Sequence, residues 1–102
     1  MHFIYILYSR AFDKFYIGET INVEVRLQQH NSGYYATSST RYTKDWQLKL
    51  FFRMRNREEA LKLEKYIKSM KSKKFIEKLI DEEDFLKGFK QIVSDRFDII
   101  IE

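Results

Sequence analysis

The sequence contains no cysteine and no proline, and it has only three glycines and two histidines. Without cysteine there is no disulfide framework and no thiolate metal site, which fits a reducing compartment. Two histidines and no thiol leave a structural zinc site without its usual ligands. No apolar run approaches the roughly eighteen residues of a membrane helix. The opening residues, MHFIYILYSR, lack the basic start and long apolar stretch of a secretory signal. By elimination we expect a soluble, cytoplasmic protein with no membrane partner. There is no GxGxxG turn, no Walker loop and no GxSxG elbow, so neither a nucleotide nor another small-molecule cofactor is expected. Repeats and low-complexity segments are missing too.

What is present points to one packed unit. The chain has 102 residues, 44% of them hydrophobic and 17% aromatic, enough for a single core. Charge is unevenly placed. Residues 1–80 carry 16 Lys+Arg against 8 Asp+Glu, a balance of +8, and residues 81–102 carry 3 against 7, a balance of −4. A body this basic favours polyanions, nucleic acid first among them, although lysines that merely solubilise helices would leave the same count.

Residues 3–8, FIYILY, read as a buried strand, and FYIG at 15–18 as a second one joined to it by a polar turn. Asn22 is placed to cap a helix running to about His30, with Glu24 in its first turn and Asn31-Ser32-Gly33 ending it. Val23 and Leu27 share one face of that helix, while Arg26 and His30 share the neighbouring one. Residues 34–45 are polar, hydroxyl-rich and aromatic, and read as a loop. WQLKLFFRM at 46–54 reads as a third strand. Asn56 with Glu59 three residues on resembles a capping box, and the next helix has apolar residues at 60, 63, 67 and 70. A basic break at 69–74 leads to a short helix over 75–83, closed by the acidic run DEED. We therefore expect an α+β fold in the order β-β-α-β-α-α. The domain spans 1–83, and residues 84–102 form an acidic and apolar tail packing on or extending it.

Few residues are suited to chemistry. Glu64 falls at the edge of the apolar stripe of its helix, and a carboxylate there needs a partner. That partner is either a metal ion or a neighbouring cation such as Lys68. Arg26 and His30, four apart, present a guanidinium and an imidazole to the same space. Arginine forks onto phosphate oxygens, and histidine exchanges a proton near neutral pH. The alternative is a surface arginine beside a half-buried histidine. Tyr5 and Tyr16 lie on the two paired strands, either as plain packing or with hydroxyls that bind phosphate or orient water. Gly18 would admit a close backbone approach and a tight passage from strand to helix.

As an ordered set these residues resemble the GIY-YIG nuclease family. The two halves of its name motif stand here as Phe3-Ile4-Tyr5 and Tyr16-Ile17-Gly18, followed by Arg26 on the first helix and Glu64 within REEALKLEKYIK. The resemblance covers about residues 2–80 and is closest to the small single-domain URI-like group. It implies a three-stranded antiparallel sheet flanked by helices, and a metal-dependent endonuclease that hydrolyses phosphodiester bonds in DNA with low sequence specificity. On that resemblance Glu64 holds one divalent cation, Mg²⁺ or Mn²⁺, and Arg26 grips the scissile phosphate. Tyr16 and Tyr5 orient or deprotonate the attacking water, with His30 near the nucleophile. Gly18, Arg41, Lys44, Lys71, Lys73 and Lys74 are expected along the nucleic-acid path. The substrate class left open is branched or damaged DNA.

Three positions depart from the family pattern. Phe3 replaces the first glycine of the name motif, Glu19 stands where several relatives carry lysine, and Ile76 stands where many carry asparagine. Glu19 would repel a phosphate or help to bind the metal. Two other functions are compatible with the same residues: a nucleic-acid-binding module with little catalysis, and a protein-interaction domain with a docking acidic tail.

Overall fold

The computed structural model describes residues 1–32 and 42–102. Strands β1 (His2–Ser9) and β2 (Lys14–Thr20) pair antiparallel, and β3 (Trp46–Met54) pairs antiparallel on the other side of β1. The sheet order is therefore β2-β1-β3, with the most apolar strand in the centre. The hairpin between β1 and β2 turns without glycine because Asp13 takes the left-handed conformation, φ 53°. Aspartate tolerates that region better than most residues. Its carboxylate is then engaged by the Tyr8 hydroxyl and the Lys73 ammonium.

The pleat of β1 divides the molecule. Ile4 and Ile6 face one way, where Ile17, Phe52, Met54, Ala60, Leu63, Ile67, Leu79, Phe89, Val93 and Ile99 join them in the main core. Tyr5 and Leu7 face the other way with Trp46, against Tyr16, Val23 and Leu27. A register shift after Ile6, whose partner is Leu50 while Leu7 pairs with Leu48, leaves Lys49 as the extra residue of a bulge.

Four helices cover the two faces, and the sequence dictates where each begins. The Asn22 side chain accepts the Val25 N–H at the start of α1 (Val23–Asn31), which lies over the Tyr5 face. The Asn56 side chain accepts the Glu59 N–H at the start of α2 (Arg57–Ser69), and Ser72 does the same for α3 (Lys73–Asp81). Glu59 turns back to the Asn56 and Arg55 side chains, so half of the expected capping box forms in its usual way. Met70, expected on the apolar face of α2, is instead the exposed C-cap residue. The stripe therefore ends at Ile67.

The acidic run closes the short helix, as expected, and a further helix follows it directly. Glu82 alone separates α3 from α4 (Glu83–Phe97), and Glu83 and Asp84 occupy the first turn of α4, where negative charge favours a helix start. Phe89, Val93 and Ile99 share the main core with Ile4, and Ile101 bridges antiparallel to Met54 beside β3. Residues 84–102 thus contribute a helix and three core side chains. Among the described residues no helix is long and apolar enough to cross a membrane.

Candidate active site

β2 is an edge strand, and at its open side the α1 face and the α2 face of the sheet meet. Tyr16 stands there, half-buried, opposite Leu7. Its ring lies 4.9 Å from the His30 ring and 6.2 Å from that of Tyr5, centroid to centroid. Lys68, from the last turn of α2, places its ammonium 5.9 Å from the Tyr16 ring centroid and 3.7 Å from a Glu64 carboxylate oxygen. Five side chains from four elements are so linked in one file: Tyr5, His30, Tyr16, Lys68 and Glu64. Arg26, one turn before His30 on α1, is near enough to act on the imidazole's charge.

The inner end of this file is dry. Tyr5 is fully buried, and a hydrogen bond of 3.0 Å joins its hydroxyl to His30 Nε2. His30 is only 4% exposed. Burial, and then the nearby Arg26 guanidinium, depress its pKa from 6.5 to about 4. The imidazole is neutral at pH 7, and the Tyr5 hydroxyl donates to Nε2 in one ring tautomer and accepts from Nε2–H in the other. The Tyr5 hydroxyl is therefore enclosed, with His30 as its hydrogen-bond partner.

Gly18 serves a different purpose from the one its position suggested. It lies within β2, ahead of the passage into α1, and is buried directly opposite Tyr5. A Cβ there would come within 2.5 Å of the Tyr5 hydroxyl oxygen and 2.6 Å of Cζ. The missing side chain is the space in which the Tyr5 ring end sits, and backbone freedom is not what this glycine supplies. Because Tyr5 is enclosed and bonded to His30, it has nowhere to move. Gly18→Ala is expected to lose about 2 kcal/mol of stability by overpacking and to lower the melting temperature by roughly 10 °C, as read by thermal denaturation. An unchanged melting temperature would show that the ring can step aside.

Two further contacts hold the site's wall in place. The Asn31 side chain donates to the Trp46 carbonyl and accepts the Trp46 N–H, each at 2.8 Å, tying the end of α1 to the start of β3. Asp45 accepts from the Ser9 and Thr43 hydroxyls, each at 2.6 Å, and from the Ala11 N–H. Those bonds hold its pKa down to about 2. Trp46, so positioned, lies 6.3 Å from the Tyr16 ring. In the sequence Asn31 looks like a helix stop and Asp45 like loop polarity. Both are cross-links to distant parts of the chain, Asn31 to Trp46 and Asp45 to Ser9 and Ala11.

Glu64 is half-buried at the rim of the core, its side chain 18% exposed, with Lys68 as its ion-pair partner. The neighbouring-cation alternative for this carboxylate is thus realised in the structure. Among the described residues no three His, Cys, Asp or Glu side chains cluster. A cation at Glu64 would have one protein carboxylate and would complete its shell with water and phosphate oxygens, which suits a hard, hydrated ion such as Mg²⁺.

The remaining expected residues are dispersed. Lys71, which is exposed, lines an open groove of about 310 Å³ beside Tyr16, Lys68 and Ser72. Lys73 pairs with Asp13 at the hairpin turn, while Lys74 and Lys44 are exposed. Gly33, Arg41 and most of the expected 34–45 loop lie outside the described residues. Glu19 is held by a hydrogen bond to His2 at 2.7 Å and by an ion pair with Arg57 at 3.5 Å. The cavity it lines, about 350 Å³, also contains Arg26 and Gln29.

A model of the GIY-YIG catalytic domain matches residues 1–78. The chain belongs to the GIY-YIG family. No curated protein and no solved structure matches it. A GIY-YIG domain is a nuclease-type fold, and the three-stranded antiparallel sheet with helices on both faces agrees with it. The family match ends inside α3, so α4 and the Ile101 bridge lie beyond the matched part while sharing its core.

Proposed function

We propose that this GIY-YIG domain is a metal-dependent endonuclease that hydrolyses phosphodiester bonds in DNA with low sequence specificity. The observation that carries this reading is the file of Tyr5, His30, Tyr16, Lys68 and Glu64 across the edge of β2, with Arg26 beside it. It brings the buried Tyr5–His30 pair, a half-buried tyrosine, cations and a carboxylate together in a chain whose first 80 residues carry a balance of +8.

Each residue then has a task that its surroundings suit. Arg26 offers a planar two-donor fork to the scissile phosphate and neutralises charge as it builds on the phosphate oxygens. Tyr16, partly open to solvent, presents its hydroxyl to the attacking water. In the tautomer that donates Nε2–H to the Tyr5 hydroxyl, neutral His30 keeps Nδ1 as an acceptor for a proton or a hydrogen bond, and Tyr5 fixes the ring's orientation. Glu64 would hold one Mg²⁺ or Mn²⁺, which when bound supplies positive charge to the leaving 3′-oxygen. This domain would bind DNA chiefly through its phosphates, and affinity would fall steeply with salt.

A supercoiled-plasmid assay tests this reading. Nicking is expected with Mg²⁺ or Mn²⁺ and none with EDTA, and Arg26→Ala should nick about 10² to 10³ times more slowly. Salt-sensitive binding without cleavage under any divalent cation would instead make the chain a nucleic-acid-binding module of the same fold.

A further inference from the structure

The contact between Lys68 and Glu64 has features that a merely supportive surface ion pair does not need. The carboxylate is largely withdrawn from water, whereas the lysine side chain is 51% exposed and meets it at the loose distance of 3.7 Å. A half-buried carboxylate must be matched by a cation. A flexible four-carbon ammonium held by one long contact is the kind of cation that is readily exchanged. Its surroundings supply a second place to go. The ammonium already lies toward the Tyr16 ring, at the head of the groove where Tyr16 and Lys68 meet Lys71 and Ser72.

We infer that Lys68 is an exchangeable counter-ion: it neutralises Glu64 until a divalent cation takes the carboxylate, and it then passes to a substrate phosphate in the adjoining groove. The inference rests on the reading of Glu64 as the cation's ligand. Two charges on one small ion outcompete a single ammonium at a partly desolvated carboxylate, and the displaced charge remains within the groove. Lys68 thus couples metal loading to DNA grip. With the carboxylate in its metal-free form, the ammonium is committed to Glu64. Once the carboxylate is occupied, the site gains one more phosphate contact.

The experiment uses the full chain and two substitutions that preserve side-chain length, Lys68→Met and Glu64→Gln, with Lys68→Gln as a second uncharged variant. Mn²⁺ binding without DNA is followed by electron paramagnetic resonance. Losing the competing ammonium should tighten Mn²⁺ binding about two- to fivefold in both Lys68 variants, the range a partly exposed ion pair allows. Glu64→Gln should abolish it. Binding of duplex DNA is then measured against salt in Ca²⁺. The slope of log affinity against log salt should be shallower by about 0.9 in the Lys68 variants, one phosphate contact fewer. Mn²⁺ affinity unchanged or weakened in the Lys68 variants, with Glu64→Gln still abolishing binding, would overturn the exchange and leave the assignment of Glu64 standing. Equal Mn²⁺ binding by wild type and Glu64→Gln would overturn that assignment, and the exchange with it. An unaltered salt slope would remove the transfer to phosphate.

Discussion

Glu64→Gln is expected to reduce metal-dependent cleavage about a thousandfold while leaving DNA affinity within a few-fold of wild type. Glutamine keeps the length and shape of a side chain that is only 18% exposed, so the packing of α2 beside Ala60, Leu63 and Ile67 is retained. What disappears is the negative charge that a hard cation needs. Charge stabilisation of a phosphoryl transition state by a bound metal is worth several kcal/mol, and about 4 kcal/mol corresponds to three powers of ten. If Glu64 served only to pair with Lys68, its loss would change stability by less than about 1 kcal/mol and cleavage hardly at all. Single-turnover nicking, with DNA binding measured in parallel, separates the two. Cleavage retained within tenfold would remove Glu64 from the reaction.

Acid should destabilise the protein through His30 before it acts through the carboxylates. The folded-state pKa of His30 is depressed from 6.5 to about 4, so between these values the unfolded chain binds a proton that the folded chain refuses. The contribution is complete above pH 6.5 and is lost as pH falls toward 4. It amounts to roughly 3 kcal/mol over the whole window. Asp13, Asp45 and Glu59, whose pKa values lie below their ordinary 3.8 to 4.5, lose their contributions only at lower pH. Urea denaturation between pH 5 and 7 therefore isolates the histidine. The wild type should lose about 2 kcal/mol across that range, and His30→Gln should lose far less. Equal slopes in the two proteins would mean that the imidazole is not held neutral by its burial.

Much of the architecture is legible because it is written locally. Asn22 and Asn56 announce helix starts through side chains that reach only three residues ahead. The 3.6-residue spacing of Ala60, Leu63 and Ile67 turns Glu64 to the rim of the core, and the four-residue interval to Lys68 makes their pairing foreseeable. The family pattern orders Tyr5, Tyr16, Arg26 and Glu64 along the chain. Signals that depend on local composition misled in two places, Met70 and Gly18. Met70 continued the period but fell at the helix end. Gly18 looked like a turn residue but was a cavity for a ring. The DEED run, read as the close of the short helix, does end α3, and it also supplies the first turn of α4.

From the sequence alone came the class of fold, the basic body, the starts of α1 and α2 and the residue types available for phosphodiester chemistry. All of these follow from near-neighbour sterics, periodicity and charge. Only the tertiary structure decided that Gly18 makes room for Tyr5, that Tyr5 bonds to a buried neutral His30, that Asn31 and Asp45 brace Trp46, and that Lys68 stands between Glu64 and Tyr16. The reason is strand register. Which ring faces which gap depends on how β1 aligns with β2 and β3, and that alignment is set by the whole core at once.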